Sequence, residues 1–178
     1  MPGVPKNFAE FKENFPESLQ TTNFEGDNED PSKRFVLFND YVGGGKKGKK
    51  EYAVTFVSDA GIEGLIKFPT WVMDGTFETA PKNPKFKQIF VIVGVDHEQR
   101  SFPLVWSFLS HKTPLCYRQG VLIPLRNAIV RYILACGLDV SKMHPKVCVT
   151  DFEKAISNSI KEVFSTFTVY GCLFHWKH

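Results

Sequence analysis

Thr70-Trp71-Val72-Met73-Asp74-Gly75-Thr76-Phe77 places one carboxylate inside an apolar run otherwise suited to a buried strand. Far downstream, Val147-Cys148-Val149-Thr150-Asp151-Phe152-Glu153 repeats the arrangement: apolar strand, carboxylate, change of structure. Two acids at the ends of two buried strands are costly unless something binds them. A divalent metal ion is the usual partner of such a pair.

The segments around these two stretches set the architecture. Lys87-Gln88-Ile89-Phe90-Val91-Ile92-Val93-Gly94-Val95 is a nearly continuous apolar run and reads as a strand buried on both faces. After the polar turn His97-Glu98-Gln99-Arg100-Ser101, residues 102–110 give a third strand, so 70–110 form an antiparallel meander. Thr113-Pro114 opens a helix whose stripe includes Leu115, Leu122, Leu125, Ile129, Ile133 and Cys136. Pro124 should kink or split it, and Gly137 closes it. Phe152, Ala155, Ile156, Ile160, Val163, Phe164 and Phe167 mark an amphipathic helix, and residues 168–174 read as a last strand. A right-handed crossover lays the Asp151 strand beside, and parallel to, the Asp74 strand, making the two acids neighbours.

Upstream, Arg34-Phe35-Val36-Leu37-Phe38 and residues 51–57 are aromatic and β-branched runs separated by Gly43-Gly44-Gly45-Lys46-Lys47-Gly48-Lys49-Lys50. They predict an N-terminal β-hairpin. The glycine run lacks the pattern of a phosphate-binding loop. Lys46, Lys47, Lys49 and Lys50 form either a solvated tip or a contact to DNA phosphates. Asp59 is placed to cap a short helix over 60–66. Phe8, Phe11, Phe15 and Leu19 recur at helical spacing around Pro16, consistent with a short turn that docks on the domain or with a solvated linker. The expected organisation is an acidic, partly disordered arm (1–34), the hairpin with its helix (35–68), and a core (69–178).

A chain of 178 residues with 43% hydrophobic and 23% charged residues is ordinary globular material. No apolar run reaches the roughly 18 residues needed to span a bilayer, and no signal peptide is expected, so a membrane partner is not expected. Cys116, Cys136, Cys148 and Cys172 show no disulfide framework and read as reduced thiols. The net charge of +3 conceals an asymmetry. Residues 1–30 carry two Lys against seven acids, −5, whereas the remainder carries +8. A basic body behind an acidic arm is compatible with a polyanionic partner.

Two carboxylates at paired strand ends suit Mg²⁺ or Mn²⁺, which take oxygen ligands and retain water. Two such ions about 3.5–4 Å apart serve phosphodiester cleavage. Taken singly, Asp151 also reads as a helix N-cap and Asp74 as a turn residue before Gly75. Cys172 and His175 in Gly171-Cys172-x-x-His175 suggest a structural role beside the site. Zinc is not expected there, because no second ligand pair is evident.

Trp71-x-x-Asp74-Gly75-Thr76-Phe77, the strand Phe102-Pro103-Leu104-Val105, Lys112-Thr113, Thr150-Asp151-Phe152-Glu153 and Gly171-Cys172-x-x-His175 together resemble the Mutator-like element (MULE) transposase domain. The resemblance runs from about Phe35 to His178. It implies an α/β, RNase H-like mixed sheet of three antiparallel strands followed by alternating helix and strand. It also implies a DDE catalytic set with Asp74 and Asp151 as first and second acids and metal ligands, Mg²⁺ or Mn²⁺ as cofactor, and nuclear DNA at transposon ends as partner. In the family a third acid, a glutamate, follows well beyond the Cys-x-x-His element. The sheet is therefore expected to be incomplete at the C-terminus, with possible self-association through an uncovered face and no small-molecule substrate. The alternative is a catalytically inactive DNA- or protein-binding module derived from a transposase.

Overall fold

The computed structural model describes residues 4–20, 35–43, 50–139 and 147–176. Their seven strands form one mixed sheet: β1 (Val36–Val42), β2 (Glu51–Val57), β3 (Thr70–Thr76), β4 (Gln88–Val95), β5 (Ser101–Leu109), β6 (Val147–Thr150) and β7 (Thr168–Gly171). The order across the sheet is β1-β2-β5-β4-β3-β6-β7. The meander β3-β4-β5 is antiparallel throughout, and β6 and β7 are added in parallel. The hairpin β1-β2 continues the same sheet, because β2 pairs antiparallel with β5.

Burial alternates along each central strand, as the pleat requires, and β4, expected to be buried on both faces, is fully buried on one and half-buried on the other. Trp71 and Met73, Phe90 and Ile92, Val105 and Leu109, and Cys148 all point to one face. There they meet α2 (Asp59–Lys67), α3 (Ile123–Ala135) and α4 (Lys154–Val163) in a single core. Trp71 lies at its centre, edge-on to Phe164 and Phe167 at 5.4 and 5.2 Å, with its indole N–H donating to the Leu65 carbonyl at 3.2 Å.

The opposite face is covered over only part of its width. The turn expected near the N-terminus is α1 (Phe8–Glu13), capped by the Asn7 side chain, and it docks. Phe8 stacks on Tyr52 at 4.8 Å, and Phe11 meets Phe15, Tyr52 and Phe86. Further along the same face Val72, Val91, Val93 and Val149 are half-buried, while Trp106 and Tyr170 are exposed. The acidic residues 25–30 lie outside the described residues.

Two local expectations are corrected, and the split expected at Pro124 is met. Ser58, rather than Asp59, caps α2: its hydroxyl accepts the Gly61 amide at 3.0 Å, and Asp59 is the first helical residue. The helix after β5 begins as a π-helical segment (Cys116–Leu122), and Pro124 sits in the first turn of α3. Lacking an N–H, Pro124 cannot serve the Gly120 carbonyl four residues back. The Thr55 hydroxyl donates to that carbonyl instead, at 2.7 Å. Finally, β7 stops at Gly171 and residues Leu173–Trp176 form a helical turn, α5, rather than more strand. The Cys172 amide donates to the Thr150 carbonyl at 2.7 Å, and the chain turns there.

The cysteines are all free, and they differ sharply in environment. Burial, then the Glu51 carboxylate, pushes the Cys116 thiol up to about 12, and burial alone does the same for Cys148. Cys136 is exposed. A disulfide reagent at neutral pH is expected to label Cys136 promptly, and Cys116 and Cys148 only after denaturant is added. Because the folded thiols hold their protons above the ordinary value of 9.0, their contribution to stability is complete below pH 9 and declines as pH rises toward 12. Urea midpoints between pH 8 and roughly 11 should therefore fall.

Candidate active site

The parallel pairing of β3 with β6 runs Trp71↔Cys148, Val72↔Val149, Met73↔Thr150. The next position on each chain is Asp74 and Asp151. With Trp71, Met73, Cys148 and Thr150 buried in the core, alternation turns both acids to the other, partly open face. Strands in a sheet lie about 4.8 Å apart, so backbone pairing alone brings the two acids together. β6 lies beside β3 and parallel to it, as expected from the sequence.

Asp74 is open to solvent, its side chain 58% exposed. Its Oδ1 accepts the Gly75 amide at 2.8 Å and lies 3.9 Å from Nε2 of His175. Asp151 is half-buried, and its Oδ1 accepts the Glu153 amide at 3.0 Å. The Asp151 carboxylate is thus held by the turn that precedes α4, three residues before the helix proper begins at Lys154. His175 reaches Asp74 from α5, because β7 lies next to β6 and ends level with Thr150. Cys172, half-buried, begins this turn. Gly171 is needed where it is, since a Cβ there would come within 2.5 Å of the Phe152 ring.

Two carboxylates on adjacent strand ends are hard oxygen donors open to water, which fits a hydrated Mg²⁺ or Mn²⁺. Among the described residues no group of three or more His, Cys, Asp or Glu is placed to share an ion. Of the hairpin lysines, Lys46, Lys47 and Lys49 lie outside the described residues. Lys50 is exposed, its ammonium 5.4 Å from the centroid of the Tyr41 ring. It precedes β2 at the end of the sheet where β3 and β6 finish, three strands from β3.

Four further side chains are linked near the segments that carry the acids, and of these only Lys112 and Glu153 belong to motifs of the family resemblance. Glu153 Oε1 accepts the Tyr117 hydroxyl at 3.2 Å, and Oε2 lies 3.7 Å from Lys112 Nζ. Gln88 Nε2 donates to the Tyr117 hydroxyl at 2.8 Å. Burial, and then the Glu153 carboxylate, raises the Tyr117 pKa despite the Gln88 bond, so the hydroxyl stays a donor. For Gln88 and Tyr117 the only hint was compositional: a glutamine opens an otherwise apolar strand, and a tyrosine lies in an apolar helix.

No helix among the described residues is long and apolar enough to cross a membrane. No curated protein matches the chain at a significant level. The MULE transposase domain matches residues 70–178, from the first residue of β3 through β6, β7 and the His175 turn. That span covers more than half the chain and carries both acids and the Cys-x-x-His element, so the chain belongs to the MULE transposase domain family.

Proposed function

We propose that this chain carries the catalytic core of a transposon-derived DDE transposase of RNase H-like architecture, cutting and joining DNA at transposon ends in the nucleus. One observation carries the reading: parallel pairing of β3 and β6 sets Asp74 and Asp151 at adjacent strand ends, on an accessible face. The three antiparallel strands followed by two parallel ones, each reached through helix, support the same architecture.

In this reading Asp74 and Asp151 hold Mg²⁺ or Mn²⁺. Such ions lower the pKa of a water nucleophile and offset the charge of the phosphate and its leaving oxygen. The chain's own contribution is placement. The sheet fixes the spacing of the acids, the Glu153 amide orients Asp151, and His175 faces Asp74. The test is isothermal titration with Mn²⁺. Wild type should give a binding heat that Asp74→Asn loses, and equal heats from the two proteins would remove Asp74 from the site.

A second reading, a DNA- or protein-binding module without cleavage, is favoured by Glu153. This is the nearest further carboxylate in sequence, and both its oxygens are engaged, by Tyr117 and by Lys112. Under that reading Asp74→Asn retains DNA affinity, and wild type leaves the DNA strands intact in Mn²⁺.

A further inference from the structure

Lys112 lies just beyond β5 and is fixed at two points. Its ammonium sits 3.5 Å from the centroid of the Phe77 ring and 3.7 Å from Oε2 of Glu153. Phe77 follows the last residue of β3, three positions after Asp74, and Glu153 stands two positions after Asp151. One cation therefore touches both segments that carry the acids out of the sheet.

The fixing extends inward. Glu153 is held by Tyr117, and Tyr117 by Gln88, and the last two are fully buried. A buried polar chain of this kind is not required for packing, since phenylalanine and an aliphatic side chain fill similar space without desolvating polar groups. Gln88 bears a further cost. Its Oε1 is the one buried side-chain polar atom among the described residues that lacks a hydrogen-bond partner. That oxygen faces Gly75, where a Cβ would approach it to 2.8 Å. The chain of buried polar groups leads to Glu153, two positions after Asp151, and ends on a lysine that is 41% exposed.

We propose that Lys112 is a phosphate-binding residue of this site, and that Glu153, held by the Tyr117–Gln88 chain, is the positioning residue that aims it. The inference rests on the DNA-processing reading of the acid pair and adds the group that meets the substrate's phosphodiester. A lysine ammonium binds phosphate as a point charge, without the fixed fork of arginine. Its pairing with Glu153 is partly exposed and long, so it yields readily to a phosphate oxygen. The Phe77 ring, through a cation–π contact, keeps the stem from swinging into solvent.

The experiment is DNA binding by fluorescence anisotropy across a salt series, with wild type, Lys112→Ala, Lys112→Arg and Tyr117→Phe. Each phosphate contact to duplex DNA adds about 0.9 to the slope of log affinity on log salt. Lys112→Ala should lose one such contact, so that over a roughly fourfold rise in salt its affinity falls about threefold less than that of wild type. Lys112→Arg should keep the wild-type slope. Tyr117→Phe, with net charge unchanged, should flatten the slope in part. A wild-type slope in Lys112→Ala overturns the phosphate contact, as does a wild-type chain without affinity for DNA. A wild-type slope in Tyr117→Phe overturns the positioning role. Failure of the acid pair is read separately, as absent Mn²⁺ heat with the salt slopes unaffected.

Discussion

Replacing Trp71 with alanine is expected to cost about 3–5 kcal/mol, a large share of the stability of a domain this size. Trp71 has no exposed surface, and its ring is gripped edge-on by both Phe164 and Phe167. Truncation removes these contacts, opens a cavity between β3 and the end of α4, and leaves the Leu65 carbonyl without the indole N–H. A drop of about 10 °C in midpoint follows for a chain of this length, readable by far-UV circular dichroism. Trp71→Phe keeps an aromatic ring there and should lose much less. A melt of Trp71→Ala within a degree or two of wild type would show that the centre of the core lies elsewhere. Because Asp74 is three residues along the same strand, the alanine variant should also blunt the Mn²⁺ heat.

The second large effect is expected at Gly120. A Cβ at this position would stand 2.4 Å from the Ala53 Cβ, a distance no pair of carbons tolerates, with Val42 Cγ1 at 3.5 Å. The π-helical segment can lie directly against β2 only because residue 120 has no side chain. Gly120→Val is expected to cost about 3 kcal/mol by forcing the segment off the sheet, and to break the bond from the Thr55 hydroxyl to the Gly120 carbonyl as well. Gly120→Ala should be damaging too, and Ala53→Gly should restore part of that loss. Such coupling between touching residues is read from a double-mutant cycle in urea. Additive losses in the cycle would mean that the contact is not the cause.

How much of this was legible in the sequence follows the range of each interaction. The meander was legible because each strand is a predominantly apolar run and polar or proline-rich turns separate the runs. The core-facing stripe of α4 was legible from its helical spacing, with Ile156, Ile160 and Val163 all buried. The nearness of Asp74 and Asp151 followed from the handedness of crossovers, a rule that acts at any separation. The pairing of β2 with β5 was not legible, because antiparallel partners 52 positions apart, such as Thr55 and Ser107, leave no local trace. The end of β7 was misread because Leu173-Phe174 extends an apolar run, and a short apolar run does not distinguish strand from helical turn. The Gln88–Tyr117–Glu153–Lys112 chain joins residues from four separate segments. Each looks ordinary in its own segment, and only the fold makes them a unit.

The placement of β6 bears on the order in which the molecule assembles. The meander closes through short connections, so β3, with Asp74 on it, can form early from nearby partners. Asp151 arrives only when a strand 77 positions away in register, Cys148 against Trp71, has been brought in across two helices. Contacts so distant along the chain are slow to form, because the loop must be closed before they contribute. We expect the acid pair to be completed after the main barrier rather than before it. An ion held by both acids would leave the folding rate nearly unchanged and act as a brake on unfolding, as interactions absent from the transition state do. Occupancy of the site would then set how long each folded molecule lasts, a quantity that unfolding rates with and without Mn²⁺ would read directly.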